Sequence, residues 1–296
     1  MIDFGVHVGT PKVLFMAADP RHCFSLKDIS PAQIQLHSHI ASGGISDLWL
    51  ASHPSVEEPF VVKYSKTTNT PYIYGQFERE YECSEVLRAK GLDQLSTHIY
   101  TFNVDAEDHP YLLEEYYPSE SLESYMKHCT AWPEVRQCLQ AVVRCIARIH
   151  TADIIHRDIK PGNILINDSG EVRLIDFALA SINGQWHPSH KEGMALGTPL
   201  YMSPEQAFGK HDDLTRACDW YALGVILFEW LSGSVPFKGK TATETMQMHC
   251  FADPPMPLNL NLQDAPNDLP DIAQAMLNKD PRARLQAVRQ LASCLR

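Results

Sequence analysis

The sequence predicts an α+β fold in two parts, a small β-rich lobe followed by a larger, mostly helical one. Between residues 34 and 115, short β-branched and aromatic runs alternate with Gly, Ser and Pro, broken by a proline-free segment rich in Glu, Arg and Leu. Beyond Pro118 and Ser119 the apolar residues take up helical spacing instead. Between two such helices lies a long irregular stretch, residues 154–208, and irregular segments of that length inside a compact domain are usually functional.

Each element follows from local chemistry. Residues 34–40, 47–51 and 60–64 are predicted as an antiparallel meander, punctuated by Gly43-Gly44 and Pro54. Residues 74–90 are expected to form a helix, and residues 98–104 and 111–115 two further strands. Val135, Leu139, Val142, Ile146 and Ile149 recur at spacings of four and three, giving one continuous apolar face. Trp220, Leu223, Ile226, Leu227 and Trp230 repeat that spacing among apolar neighbours, as in a helix buried all round. The expected organisation is an N-terminal extension packed on the small lobe (1–33), the small lobe (34–117) and the large lobe (118–296).

Composition narrows the function. With 44% hydrophobic and 21% charged residues the chain is expected to fold as an ordinary globular protein. A net charge of -11 argues against nucleic acid or an anionic membrane as the main partner, since both require a basic face. No apolar run approaches the roughly 20 residues that span a bilayer, and the first residues lack a basic-then-apolar order, so a cytoplasmic protein is expected. Eight scattered cysteines without a C-x-x-C pair suit reduced thiols, with Cys138 and Cys145 packed in a helix. His187 and His190 lie three apart without acidic or cysteine partners nearby, which reads as a solvated loop and not a metal site.

The chemistry is concentrated in one octet, His156-Arg157-Asp158-Ile159-Lys160-Pro161-Gly162-Asn163, with a carboxylate and a carboxamide five residues apart. It is followed by Asp176-Phe177-Ala178 and by Gly197-Thr198-Pro199-Leu200-Tyr201-Met202-Ser203-Pro204-Glu205, and preceded by Val61-Val62-Lys63 and Phe77-Glu78-Arg79-Glu80. In content and order these segments resemble the catalytic loop, metal-binding motif, activation-segment end, third strand and helix of protein kinases. The chain is similar to the eukaryotic-like, bacterial-type serine/threonine protein kinases, over most of its length from Ile34 to Leu295.

The resemblance implies a bilobal protein kinase fold with ATP between the lobes. It implies Asp158 as the base that orients a substrate hydroxyl, and Lys160 as the contact to the γ-phosphate. Asn163 and Asp176 would hold Mg²⁺, with Mn²⁺ as a substitute, and Lys63 the α- and β-phosphates, itself fixed by Glu80. Thr198 would bond Asp158 and Lys160. The run from Ile40 to Ala51 resembles the glycine-rich loop, which would set Ile40, Gly43, Gly44 and Leu48 against the nucleotide, with Leu48 and Ala51 as walls over the adenine. Ala41 and Ser46 stand where that loop has its first and third glycines. The hinge falls at Glu115, Tyr116 and Tyr117, and Glu114 stands at the position gating the back pocket. Asp219 resembles the aspartate that braces the catalytic loop, and Arg284 the arginine that pairs with Glu205.

The expected activity is phosphoryl transfer from ATP to serine or threonine of proteins, including autophosphorylation in trans. The competing reading is a pseudokinase scaffold acting through protein binding, motivated by Ala41, Ser46, Ala178 and Glu114. If the backbone at Ala178 must be left-handed, its Cβ costs about 1–2 kcal/mol. Ser181 and Ser189 are candidate phosphorylation sites, with Arg157 as the receiving arginine.

Overall fold

The computed structural model describes residues 33–185, 195–209, 214–258 and 261–296. The expected N-terminal extension up to residue 32, Ser189 and the pair His187 and His190 lie outside the described residues.

Three strands, β1 (Gln35–Ser42), β2 (Ser46–His53) and β3 (Val56–Ser65), are followed by α1 (Pro71–Ala89), β4 (Ile99–Val104) and β5 (Pro110–Glu115). The strands form one antiparallel sheet in the order β1-β2-β3-β5-β4. Helix α1 starts three residues earlier than the sequence pattern suggested. Pro71 takes the first helical position, where its missing N–H is no loss, and Thr70 caps the helix by accepting from Ile73 N at 3.2 Å.

Alternation along the strands sorts the sheet into two faces. Phe60, Val62, Tyr111 and Leu113 pack on one, while Leu112 and Ile99 pack with Ile73 and Phe77 of α1 on the other. Ala51 belongs to the first face, opposite Phe60, so it is not a wall over the adenine. Val61, which pairs with Leu50, shares the face of Lys63.

The rest of the chain runs β6 (Glu120–Ser121), α2 (Leu122–His128), α3 (Trp132–Thr151), β7 (Ile154–Ile155), β8 (Ile164–Ile166), β9 (Val172–Leu174) and β10 (Ser181–Ile182). Then come α4 (Pro204–Ala207), α5 (Ala217–Ser232), α6 (Ala242–Phe251), α7 (Leu269–Met276) and α8 (Pro281–Cys294). The stretch expected to be irregular is thus stapled by paired strands of two or three residues, too short to leave a periodic signal. The apolar stripe of α3 is fully buried, as are nearly all residues of α5. At Gly224 of α5 an added Cβ would lie 2.7 Å from the Cβ of Met276, so the glycine sets the approach of α5 to α7. One large core joins Cys83 and Leu87 of α1 to α3, α5, α7 and α8, so α1 is packed onto the helical lobe as well as the sheet. Among the described residues no helix is long and apolar enough to cross a membrane.

His249 of α6 is fully buried, and its Nδ1 lies 2.8 Å from the Tyr221 hydroxyl. Burial, with Lys279 nearby, lowers its pKa from 6.5 to about 4. Between those values the unfolded chain binds a proton that the folded chain refuses, so stability falls as pH drops through the window. Urea denaturation of wild type and His249→Gln is expected to show a wild-type-specific loss of roughly 3 kcal/mol between pH 7 and pH 4. Parallel pH profiles would contradict this assignment.

Candidate active site

Asp219, at the start of α5, organises the backbone beneath the cleft. Its Oδ2 accepts from His156 N at 3.0 Å and lies 2.8 Å from His150 Nε2, while its Oδ1 accepts from Arg157 N at 2.8 Å. Burial would raise this carboxyl, but His150 and these backbone donors hold it below the usual range. The bonds fix Arg157 in a left-handed conformation at φ 68°, which turns the chain so that Asp158 faces the cleft.

Asp158 is surrounded by donors. Its Oδ1 accepts from Thr198 N at 2.8 Å and Thr198 Oγ1 at 2.9 Å; its Oδ2 accepts from Lys160 Nζ at 2.8 Å and Asn163 Nδ2 at 3.2 Å. Lys160 also reaches Thr198 Oγ1 at 3.2 Å. Gly197, at φ 125°, makes this possible: a Cβ there would lie 3.3 Å from Arg157 O and 3.6 Å from Asp158 Oδ1. Further support comes from Gln206, which donates to Arg157 O at 2.6 Å, and from Arg284, fully buried and bidentate to Glu205 at 2.9 and 2.7 Å.

Across the cleft Lys63 Nζ donates to Glu80 Oε2 at 2.7 Å and to Asp176 Oδ1 at 3.1 Å. Burial would strip the proton from this ammonium group, but Asp176, Glu80 and Glu114 outweigh burial and hold it protonated. Glu80 is buried, whereas Glu82 is exposed and bound to Arg79, so the pairing of Lys63 with Glu80 follows the sequence expectation. Asp176 is held below the ordinary carboxylate range, because Lys63 and Lys160 overcome the effect of its burial. Phe177 turns the other way, into the core against His156 at 4.6 Å between ring centroids. The strained residue of this motif is Asp176, at φ 65°; Ala178 is not left-handed, so the anticipated Cβ cost is not incurred.

The donors suit a hard divalent cation bound together with phosphate. Asp176 could offer carboxylate oxygens, and Asn163, whose amide nitrogen is committed to Asp158, could offer a carbonyl oxygen. A small divalent cation that keeps waters and phosphates as its other ligands needs no full protein cage.

The remaining predicted residues lie in the sheet and at the end of β5. Leu48 is paired with Lys63, and Ile40 is the extra residue of a β-bulge, half exposed. Gly43 and Gly44 form the tip of the β1–β2 hairpin, closed by Gly43 N donating to Ser46 O at 2.8 Å. Lys66, missed in the sequence, ties this tip down through Ser42 Oγ at 2.6 Å and Gly43 O at 2.7 Å. Sheet pairing stops at Glu115, whose carboxylate takes Arg173 at 2.6 Å, and Arg173 stacks on the ring of Tyr117 at 3.9 Å. Ser181 is buried, paired with Ile155 of β7, and so is not offered for modification in this conformation.

The family model described as protein kinase domain matches residues 34–294. The serine/threonine-protein kinase PknA of Mycobacterium tuberculosis is 32% identical over 260 residues, covering 86% of this chain and 58% of its own. PknA of Corynebacterium glutamicum is 30% identical over 274 residues, covering 90% of this chain and 56% of its own. PrkC of Bacillus subtilis is 29% identical over 256 residues, covering 85% and 38%. The chain thus spans about half the length of the curated relatives it matches. Its two-lobed architecture, the order of its motifs and this match across most of its length show that the chain belongs to the protein kinase family, among serine/threonine kinases of the bacterial type.

Proposed function

We propose that the chain is a serine/threonine protein kinase that transfers the γ-phosphoryl group of ATP to hydroxyls of protein substrates, including other copies of itself. The observation that carries this reading is the Asp158 carboxylate, held by Thr198, Lys160 and Asn163 on the floor of a cleft whose roof presents Lys63. In this role Asp158 orients a serine or threonine hydroxyl and accepts its proton as the oxygen attacks phosphorus. Lys160, bridging Asp158 and Thr198, lies where it can neutralise charge on the transferred group, and Lys63 holds the remaining phosphates. Asp176 and Asn163 would hold Mg²⁺ or Mn²⁺, which supplies neutralisation of the phosphate oxygens when bound. The lining at Ile40, Gly43, Gly44, Leu48, Glu115 and Tyr117 serves nucleotide binding in this reading. We place the reaction in the cytoplasm, in keeping with the unpaired thiols of Cys83, Cys138, Cys145 and Cys218.

The scaffold alternative loses one of its supports, because Ala178 sits in an ordinary backbone conformation. No observation among the described residues favours it.

Incubation with Mg²⁺ and γ-labelled ATP, alone and with generic basic proteins, is expected to place label on serine or threonine. Asp158→Asn and Asp176→Asn should each lower transfer by about 100-fold or more. Label that persists in both variants, or its absence from folded wild type, would overturn the reading. Ala178→Gly is expected to change transfer by no more than a few-fold and to destabilise the fold by about 0.5–1 kcal/mol, since glycine adds only chain entropy there. A large gain in transfer would show that the alanine restrains the enzyme.

A further inference from the structure

The sheet of the small lobe has two apolar faces, and the described residues supply a cover for only one. Helix α1 lies on the face that carries Ile99 and Leu112. The other, outer face gathers Ala51 of β2, Phe60 and Val62 of β3, and Tyr111 and Leu113 of β5, with Val56, Tyr64 and Tyr100 packed against them. Every described residue in this cluster belongs to the five strands or, as Ile34 does, immediately precedes β1. Yet Ala51 is 0% exposed, and Phe60 and Leu113 are 1% exposed. A sheet standing alone leaves its side chains open to water on one side, so an apolar face shielded to this degree requires a second layer.

The shielding is that of a single chain, so the second layer belongs to the chain itself. Of the residues outside the described set, 186–194, 210–213 and 259–260 fall between elements of the large lobe, whereas residues 1–32 lead directly into β1 of this sheet. Their sequence suits that place. Ile2, Phe4, Val6 and Val8 alternate with Asp3, Gly5 and His7, the period that makes one side of an extended segment apolar. At roughly 3.3 Å per residue, the stretch from Ile2 to Val8 matches the width of roughly 20 Å that five strands occupy. Residues 9–32 are long enough to join it to the start of β1.

We propose that the outer face of this sheet is the docking surface for the chain's own N-terminal segment, which lays the apolar set Ile2, Phe4, Val6 and Val8 over Phe60, Val62, Tyr111 and Leu113. Phe60 and Val62 alternate along β3 with Val61 and Lys63, so the docked segment backs the strand that carries the ammonium group of the cleft.

Photo-crosslinking in the full chain tests this. The photoreactive residue p-benzoylphenylalanine replaces Tyr64 or, separately, Tyr100, both half-buried on the outer face. Products are mapped by mass spectrometry in a mixture of isotopically light and heavy protein. Both positions are expected to cross-link to residues 1–32 of the same copy. Phe4→Asp together with Val6→Asp should lower that yield by roughly tenfold, because a carboxylate on an apolar face is unfavourable. Asp3→Ser together with His7→Ser, at the intervening positions, should change it by less than about twofold. The two labelled positions keep the test decisive if one of them disturbs folding. Cross-links that join light to heavy copies, cross-links that miss residues 1–32, or equal losses from the two pairs of substitutions would overturn the proposal.

Discussion

The Lys63 ammonium group joins three parts of the chain that lie far apart in sequence. It belongs to a sheet strand, its nearest partner Glu80 to α1, and its second partner Asp176 to the loop following β9. Each carboxylate is unfavourable in this place without the cation, and the cation is equally unfavourable without them. The group therefore rewards one arrangement, with α1 turned inward and Asp176 facing the cleft. The hydrophobic core acts in the same direction, since Phe177 is buried while Asp176 faces Lys63, and Cys83 and Leu87 anchor α1 on the helical lobe. Polar attraction and apolar burial thus select the same geometry.

A second junction, at Asp219, does for the floor what Lys63 does for the roof. Holding two consecutive backbone N–H groups and His150, it stabilises the left-handed Arg157 that places Asp158. The site is hence two rigid halves, each organised by a buried charge with several partners. Glu114 adds a further buried negative group whose charge helps hold Lys63 protonated.

Much of this was legible in the sequence. Asp158, Lys160, Asn163, Thr198, Lys63, Glu80 and Asp176 were singled out because the spacing of their chemical types is restrictive, and the structure gathers them into two hydrogen-bonded groups, Asp158 with Lys160, Asn163 and Thr198, and Lys63 with Glu80 and Asp176. The sheet and the buried helices α3 and α5 were legible from periodicity. What escaped depends on contacts between distant segments. Ala51 was assigned to the wrong face because alternation alone does not say which face a strand turns to the cleft. Ser181 looked available because two-residue strands leave no pattern, and α1 was begun late because proline was treated as a breaker and not as a first-turn residue.

In the proposed reaction Lys63 and Glu80 act as one unit in holding nucleotide phosphates. A double-mutant cycle on magnesium-ATP affinity, with Lys63→Met, Glu80→Gln and the pair, tests it directly. Strong non-additivity is expected, with the double variant little worse than the poorer single one and a coupling of about 1.5 kcal/mol or more. Losses that add to within about 0.5 kcal/mol would contradict it, showing that the two residues serve the cleft independently.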